Sequence, residues 1–532
     1  MIDELNLKSM KIKIDFKEIP QEILDIAKKF QENKKELYLV GGCVRDMLMG
    51  IQPKDWDLTT NAKPEEIQKI CSHTFYENDF GTVGVVLDKN NQKIEQIKEK
   101  LEKNNVSQET KDLLEKELVI RETLKNIEIT PFRTESGYSD NRHPDKIEFS
   151  DKIEDDLSRR DFTINAIAYN PLTGELIDLF DGLKDLKEKK IRTVLNPDDR
   201  FQEDGLRIMR AVRFSAQLGF EIEENSLKSI KKNKELLKNI SKERIQIEFN
   251  KIIMSERPEY GLNVTHETGI LEYFLPELEE NIGVIQGGAH VYDVYNHILK
   301  ALQAAADKKY PLYLRLAALF HDIGKGRTAE WSDKKQGNTF FAHEYVGAKM
   351  TEKILKRLKY SNEIVSRVTN LVRNHMFFAD PDKITLSAVR RVIRKVGGEK
   401  EVWDLIKLRI ADRLGMGRPK ERTYRLRMYE AMIEEALRSP ISVKDLKING
   451  DQLISEFHMK PGKKIGQILH ALMGITLETP ENNNYDFLAK KVEEYLKLPD
   501  EELKKLAKVG RETMEIKENQ EIKKIHRKHK VK

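Results

Sequence analysis

Cysteine is nearly absent: the 532-residue chain carries only Cys43 and Cys71. That excludes a disulfide framework and fits a reducing compartment. Long apolar runs are missing too, so no segment reaches the length of a membrane span. The start, Met1-Ile2-Asp3-Glu4, lacks the basic and apolar blocks of a secretory signal. The expected location is the cytoplasm, with no membrane partner. An excess of one charge is also lacking. A net +5 is small for this length, so it neither demands nor excludes a nucleic-acid partner and shifts the question to local basic patches. No internal repeat is present. What the chain does have is charge, 34% beside a hydrophobic share of 39%. This describes a soluble, helix-rich protein with long solvated faces, divided into about three to five domains.

The richest stretch lies near the start. Leu37-Tyr38-Leu39-Val40 reads as a buried strand ending at Gly41-Gly42, with a helix over Val44 to Met49. Asp55-Trp56-Asp57 follows. On a strand alternate side chains share a face, so Asp55 and Asp57 point the same way. Two hard oxygen ligands side by side suit Mg²⁺, which keeps water and phosphate as its other ligands. The glycines let backbone N–H groups approach a phosphate closely, and Arg45 complements its charge. Gly41-Gly42-x-x-Arg45-Asp46 followed by Asp55-x-Asp57 resembles the signature of the polymerase-β-type nucleotidyltransferases. More narrowly, it resembles the bacterial-type (class II) tRNA nucleotidyltransferase and poly(A) polymerase family.

Further motifs extend the resemblance. Residues 1 to about 35 hold a lead-in and an amphipathic helix with Ile23, Ile26, Ala27 and Phe30 at helical spacing. Thr59 to Glu66 reads as a loop entering a helix at Pro64, and Phe80 to Leu87 as a strand. Asn90 to about Lys125 is a Lys/Glu/Gln-rich helical hairpin broken at Asn104-Asn105, with Ser107 as N-cap. Its two readings are a solvated spacer and a lid or RNA-contacting arm. Ile127 to Thr134 resumes the sheet, and Glu128 sits where the family places a third carboxylate. The polar loop 137–144 is shortened in family members that add only CC, so its presence leans towards complete CCA addition or terminal A addition. Ser158-Arg159-Arg160-Asp161-Phe162-Thr163-Ile164-Asn165-Ala166 matches another family motif. There the resemblance assigns Arg160 to the triphosphate and the Asp161–Asn165 segment to the ribose side.

Phe201 to Phe214 carries Asp204, Arg207, Arg210 and Arg213 at three-residue spacing. On one helix, successive members share a face. A row of arginines without acids four residues on makes sense if anions lie over it; the other reading of the spacing is a structural ion-pair helix. The family resemblance implies that Asp204 and Arg207 hydrogen-bond the base edges of CTP or ATP in place of a template, with Arg210 and Arg213 leaning towards phosphates. The following segment, with Lys228, Lys231, Lys232, Lys234, Lys238, Lys242 and Arg244, reads either as a solvated face or as an RNA-backbone track.

Histidines then appear in order: His297, His321 with adjacent Asp322, His343 and His375, and after them Asp412. Imidazole with carboxylate is the shell expected for Mn²⁺, Fe, Ni²⁺ or Zn²⁺. The series resembles the HD phosphohydrolase superfamily, in the version with two metals. The tail holds a Pro461-Gly462 turn entering a helix, and a basic C-terminal stretch that reads as frayed.

The expected architecture is an α+β polymerase-β-type catalytic domain over 1–190 with its insertion near 90–125. An all-α neck over 191–280, an HD domain over 281–440 and a helical tail over 441–532 follow. The resemblance implies Mg²⁺-dependent addition of CCA to tRNA 3′ ends from CTP and ATP, with phosphohydrolysis in the HD domain. Poly(A) polymerase and terminal A-adding enzyme remain alternatives. So do, from other classes, a metal phosphohydrolase acting on RNA ends or nucleotides and a non-catalytic RNA-binding protein. The oligomeric state is left open.

Overall fold

The computed structural model describes residues 19–531 apart from 77–80, 103–106, 126, 138–144, 288–290, 335–336, 378–382, 419 and 439–440. Met1–Glu4, Phe80, the Asn104-Asn105 break and, except for Gly137, the polar loop at 137–144 lie outside the described residues.

The first unit is a sheet with helices behind it. In chain order it runs α1 (Gln21–Glu32), β1 (Leu37–Val40), α2 (Gly42–Leu48), β2 (Trp56–Thr60), α3 (Pro64–Ile70), β3 (Thr74–Tyr76) and β4 (Val83–Val85). The hairpin α4 (Asp88–Glu102) and α5 (Gln108–Thr123) leads into β5 (Ile127–Pro131), β6 (Arg133–Ser136), β7 (Lys146–Phe149), α6 (Ile153–Ser158), β8 (Ile167–Tyr169) and β9 (Leu176–Asp178). Seven strands form one sheet in the order β3-β4-β5-β2-β1-β8-β9, and β6 pairs with β7 separately. Among the described strands of the sheet, β2 and β5 are the parallel pair, with Asp57 level with Glu128.

Period-two alternation decides what each face carries. Leu37, Leu39, Trp56, Leu58, Ile127 and Ile129 enter one core with Ile23, Ile26, Ala27 and Phe30 of α1. Tyr38, Val40, Phe132, Ile153, Leu157 and Ala168 build a smaller one on the opposite face. Thr59 and Thr60, expected in a loop, end β2 instead, because both are fully buried there and pair with β1. The insertion is a helical hairpin, and Ser107 caps α5 by accepting the Thr110 N–H. It is not merely a solvated spacer, since Ile94, Ile97 and Leu124 are buried.

Beyond residue 190 the chain is mainly helical. The helices α7 (Gly182–Glu188), α8 (Pro197–Glu203), α9 (Leu206–Leu218), α10 (Glu224–Asn233) and α11 (Lys242–Ile253) bridge the sheet and the rest. One continuous apolar core runs from Phe162 through this neck to Ile433. Buried Arg315 joins the two parts by donating to the Ile253 and Ser255 carbonyls at 3.0 and 2.9 Å. The neck lysines mostly have local acids: Lys228 pairs with Glu224, Lys232 with Asp198, Lys234 with Glu272 and Lys238 with Glu235. Among the described residues, no helix is long and apolar enough to cross a membrane.

The tail has its own core around Leu446, Leu453, Ile468, Leu472, Leu488 and Leu503. Its end is docked, not frayed. Ile525 packs with Ala431, and Lys528 and His529 bind Glu434. The helices Lys463–Glu478 and Asp500–Lys528 cross where glycine removes all side-chain bulk. A Cβ on Gly510 would lie 1.9 Å from the His470 carbonyl oxygen. Gly510→Ala should therefore force the helices apart and destabilise the tail by about 2–3 kcal/mol, the cost typical of overpacking. Loss of protease resistance confined to residues beyond 441 would check it.

Candidate active sites

Two constellations stand out, and the first is built at the C-terminal end of β1. Gly41 takes φ +78° there, a conformation side chains resist, and α2 starts at once at Gly42. A Cβ on Gly41 would lie 3.2 Å from Arg160 Nη1 and 3.4 Å from Asp57 Oδ2. On Gly42 it would lie 3.7 Å from Arg45 Nη2 and 3.9 Å from Asp55 Oδ1. The glycine turn, both aspartates and two arginines therefore meet around one small space. Asp55 stands just before β2, and Glu128 joins from β5. Burial and the neighbouring charge of Asp55 push the Asp57 carboxyl up to about 6, with Arg160 opposing and Glu128 adding to the rise. Carboxylates whose charges raise the cost of ionising Asp57 are a donor set suited to a hard divalent cation.

The arginines are held by acids. Fully buried Asp156 accepts from both Arg159 and Arg160, the latter through Nη2 at 2.9 Å. Arg45 binds Asp46 and donates from Nη1 to Asn165 Oδ1 at 2.8 Å. Asn165 donates to Asp161 Oδ1 at 3.2 Å, and Arg210 Nε donates to Asp161 Oδ2 at 2.7 Å. Burial alone would lift the Asp161 carboxyl, but the Arg210 charge and the Asn165 amide carry it down to about 2. These four residues form one hydrogen-bonded chain beside the glycine turn.

The Asp204–Arg213 row is not the single helical face expected from its spacing. The helix breaks: α8 ends at Glu203, Asp204 is extended at φ −143°, ψ 104°, and α9 opens at Leu206. Asp204 accepts the Leu206 N–H at 3.0 Å, as a capping aspartate does, and pairs with Arg244 at 2.7 Å. Arg207 instead binds Glu203 and donates to the Arg159 carbonyl at 3.1 Å. Nor does the row lack acids, since Arg210 has Asp161 and Arg213 has Glu248 at 2.8 Å. Arg213 does not lean towards phosphates. Three-residue steps drift around a helix of 3.6 residues per turn, so Arg213 is turned into the neck core. It lies 3.9 Å from the Phe214 ring centroid, and burial with the Arg210 charge lowers its pKa to about 10. Sequence reasoning gives no role to Asp156, Glu203 or Glu248, and reads Arg244 only within the basic run, as a solvated face or RNA-backbone track. Asp156 alone left a signal, lying one helical turn before Arg160.

The second constellation is buried between helices. His297 lies in the helix Val294–Asp307, and His321 and Asp322 follow Leu312–Phe320. His343 opens His343–Arg357, His375 follows Asn362–Asn374, and Asp412 lies in Glu399–Gly415. The six side chains form two triples, His297-His321-Asp412 and Asp322-His343-His375, each with donor atoms within 4.8 Å of one another. Asp322 bridges them. Its Oδ2 lies 3.2 Å from the Nε2 atoms of His297 and His321. Its Oδ1 lies 3.3 and 3.5 Å from those of His343 and His375. His321, His343 and His375 tie Nδ1 to the carbonyls of Ala318, Phe340 and Val372 at 2.8, 2.8 and 2.7 Å. That orients each ring with Nε2 inward, as metal-binding histidines require. Burial would lower the His297 pKa, but the hydrogen bonds that Asp322 and Asp412 accept from it outweigh this and raise it to about 9. The donor set fits two transition-metal ions. A cavity of about 630 Å³ opens over it, with Lys325, Arg409, Phe341 and Met376 in its wall.

Comparison with known proteins follows this division. Residues 37–119 and 90–192 match the Poly A polymerase head domain. Residues 219–282 match the Probable RNA and SrmB-binding site of polymerase A, and 288–417 match the HD domain. The chain is 32% identical to a CCA-adding enzyme of Ligilactobacillus salivarius, over 85% of this chain and 92% of that protein. It is also 32% identical to one from Limosilactobacillus reuteri, covering 89% and 96%. Among solved structures it is similar to the Bacillus stearothermophilus CCA-adding enzyme in complex with CTP. The TM-score there is 0.52 at 25% identity, with 89% of this chain and 97% of that one covered.

The raised Asp57 carboxyl has a consequence for stability. With its folded pKa near 6 against an ordinary 3.8, the native state holds a proton that the unfolded state has released. Stability is then lost as pH rises from about 4 through about 6. Without divalent metal, Asp57→Asn should be more stable than the parent at pH 7 by about 1–2 kcal/mol. The advantage should vanish below about pH 4 and shrink on adding Mg²⁺, read as melting temperature against pH.

Proposed function

The chain belongs to the CCA-adding enzyme family of tRNA nucleotidyltransferases, and from that premise we propose how its residues divide the work of adding C, C and A to a tRNA 3′ end. The observation that carries the reading is the meeting of Asp55, Asp57 and Arg160 around the Gly41 turn, with Glu128 level with Asp57. The substrates are tRNA, CTP and ATP. Asp55, Asp57 and Glu128 would hold Mg²⁺, which when bound helps ionise the RNA 3′-hydroxyl and offsets charge on the leaving pyrophosphate. The 3′ oxygen bonds to the α-phosphorus of the nucleotide, and the bond from that phosphorus to the bridging oxygen breaks, releasing pyrophosphate.

The protein's own part is binding and orientation. Gly41 and Gly42 keep the space beside the carboxylates clear for phosphate. Arg160, oriented by Asp156, and Arg45, oriented by Asp46, supply positive charge there. Asp161 and Asn165 line the ribose side, and Arg210, held by Asp161, leans towards the phosphates. Asp204 and Arg207 present a carboxylate and a guanidinium to the base edge. Each keeps its protein partner, Arg244 or Glu203, as a brace. Arg213 serves this set indirectly, by holding α9 to α11 through Glu248. We assign catalysis to 1–190, base reading and RNA contact to 191–280, and RNA contact to 441–532, in a protein of the cytoplasm.

A second activity is favoured by the bridging geometry of Asp322. The six-residue centre within 281–440 would bind Mn²⁺, Ni²⁺ or a related ion and hydrolyse a phosphoester, with Lys325 and Arg409 of the cavity wall meeting the phosphate.

Two assays test these readings. With tRNAs ending before CCA, after C and after CC, the parent should complete CCA from CTP and ATP. Asp55→Ala should lose incorporation by at least about 1,000-fold with tRNA binding retained. A long A tail would reassign the chain to poly(A) synthesis, and extension of only the CC-ending tRNA would make it an A-adding enzyme. Phosphate release from a model diester with Mn²⁺ or Ni²⁺ should disappear in His321→Ala, which should still complete CCA.

A further inference from the structure

Trp56 stands between the two aspartates of the catalytic front yet serves the back of the sheet. Strand alternation sends Asp57 forward and Trp56 the other way. The indole is fully buried, and its Nε1–H donates to Thr123 Oγ1 at 3.0 Å. Thr123 is the last residue of α5. Its own hydroxyl donates to the Ile120 carbonyl at 2.6 Å, so towards Trp56 its oxygen serves as acceptor. The chain then passes through fully buried Leu124 to β5, where Ile127 pairs with Trp56 and Glu128 with Asp57. One hydroxyl thus ties together the two strand starts that carry the three carboxylates.

The hairpin that supplies Thr123 is itself anchored. It is inserted between β4 and β5, antiparallel neighbours that a short turn could join. Arg121 of α5 pairs with Glu22 of α1, Lys93 of α4 lies 3.7 Å from the same glutamate, and Asn90 donates to the Arg121 carbonyl at 2.8 Å. α1 in turn packs behind β1, whose end is the Gly41 turn. Residues 88–125 contain equal numbers of basic and acidic side chains, so an RNA backbone gains little by Coulomb attraction to them.

We propose that the hairpin is a rear support for the catalytic front, and that Thr123 is a positioning residue acting through Trp56 on the spacing of Asp55, Asp57 and Glu128. The inference rests on the nucleotidyltransferase reading above. Metal ligands must be held to within about 0.5 Å to work. The buried donor–acceptor pair adds to the β2–β5 ladder a side-chain restraint at the strand starts themselves.

Thr123→Val removes the acceptor at nearly constant volume, and Thr123→Ser keeps it. The valine variant should need roughly tenfold more Mg²⁺ for half-maximal addition and turn over about tenfold more slowly. Its KM for CTP and its affinity for tRNA should stay at parental values. The serine variant should match the parent. Trp56→Phe removes the donor and should give the same Mg²⁺ shift, with no further shift in the double variant. Mg²⁺ binding by calorimetry, with His321→Ala and His343→Ala present in every sample to take a ligand from each histidine triple, reads the same geometry without catalysis. An unchanged Mg²⁺ requirement in Thr123→Val, or a loss of activity that merely tracks melting temperature, would overturn the proposal. Weakened Mg²⁺ binding in a chain that extends no tRNA would support the positioning role while refuting the transferase reading.

Discussion

Mutual repulsion among Asp55, Asp57 and Glu128 is the constraint on which the catalytic unit depends. The charges of Asp55 and Glu128 raise the cost of ionising Asp57 in its buried place, and the lifted Asp57 carboxyl is the sign of it. Parallel pairing of β2 with β5 forces two of them level with each other. The opposing force comes from the other face of the same strands, where Trp56, Leu58, Ile127 and Ile129 are fully buried or nearly so. Each such side chain contributes about 1.5–3 kcal/mol on burial. The period-two alternation that creates the cost therefore also supplies what offsets it.

Around those carboxylates, positive charge is already spoken for. Arg45, Arg160, Arg207 and Arg210 each hold an acid before any nucleotide arrives. A triphosphate bound by these arginines, as proposed, would therefore exchange or share ionic partners; it would not rescue free charges. The net gain per contact is then smaller than the gross strength of an arginine–phosphate pair, because an existing pair is weakened. What the pairing secures is direction. Asp156, closed to solvent, fixes Arg160 beside Gly41, and the Asp161 carboxylate, held ionised down to about pH 2, keeps Arg210 in place. Arg207, proposed above as a base reader, would benefit in the same way, since an unbraced guanidinium meets many hydrogen-bonding patterns equally well.

Much of this was legible in the sequence because the signals were local. Asp-x-Asp on a strand fixes a shared face, and the buried positions of α1 follow its apolar spacing. The His/Asp series announced a ligand set, although only the fold shows Asp322 bridging two halves of it. The misreadings share one cause. A spacing of three suggests one helix, while Asp204 sits in the break before Gly205 and caps the next helix. The arginine row seemed short of acids because its partners, Asp161 and Glu248, come from distant segments. The hairpin looked solvated because its composition is polar, whereas what matters is the few residues it buries and the single hydroxyl at its end. Long-range pairing is the information that periodicity does not carry.

The same logic bears on whether the histidine centre is a relic. A disused site at this depth would be expensive: His297, His321, Asp322, His343, His375 and Asp412 are all buried, and buried ionisable groups are stable only when well paired. Here the pairing is almost entirely among the six, with Lys325 and Arg409 closing the edges. Three of the four rings are fixed by backbone carbonyls with Nε2 inward. Apolar replacement of such a cluster is commonly neutral or stabilising, so a scaffold without function would be free to lose it. The core around the centre is continuous with the neck that holds Asp204 and Arg207, so stability alone asks only for volume at these positions. Their chemistry needs another reason, and the two triples of donors, each able to hold a metal ion, supply one.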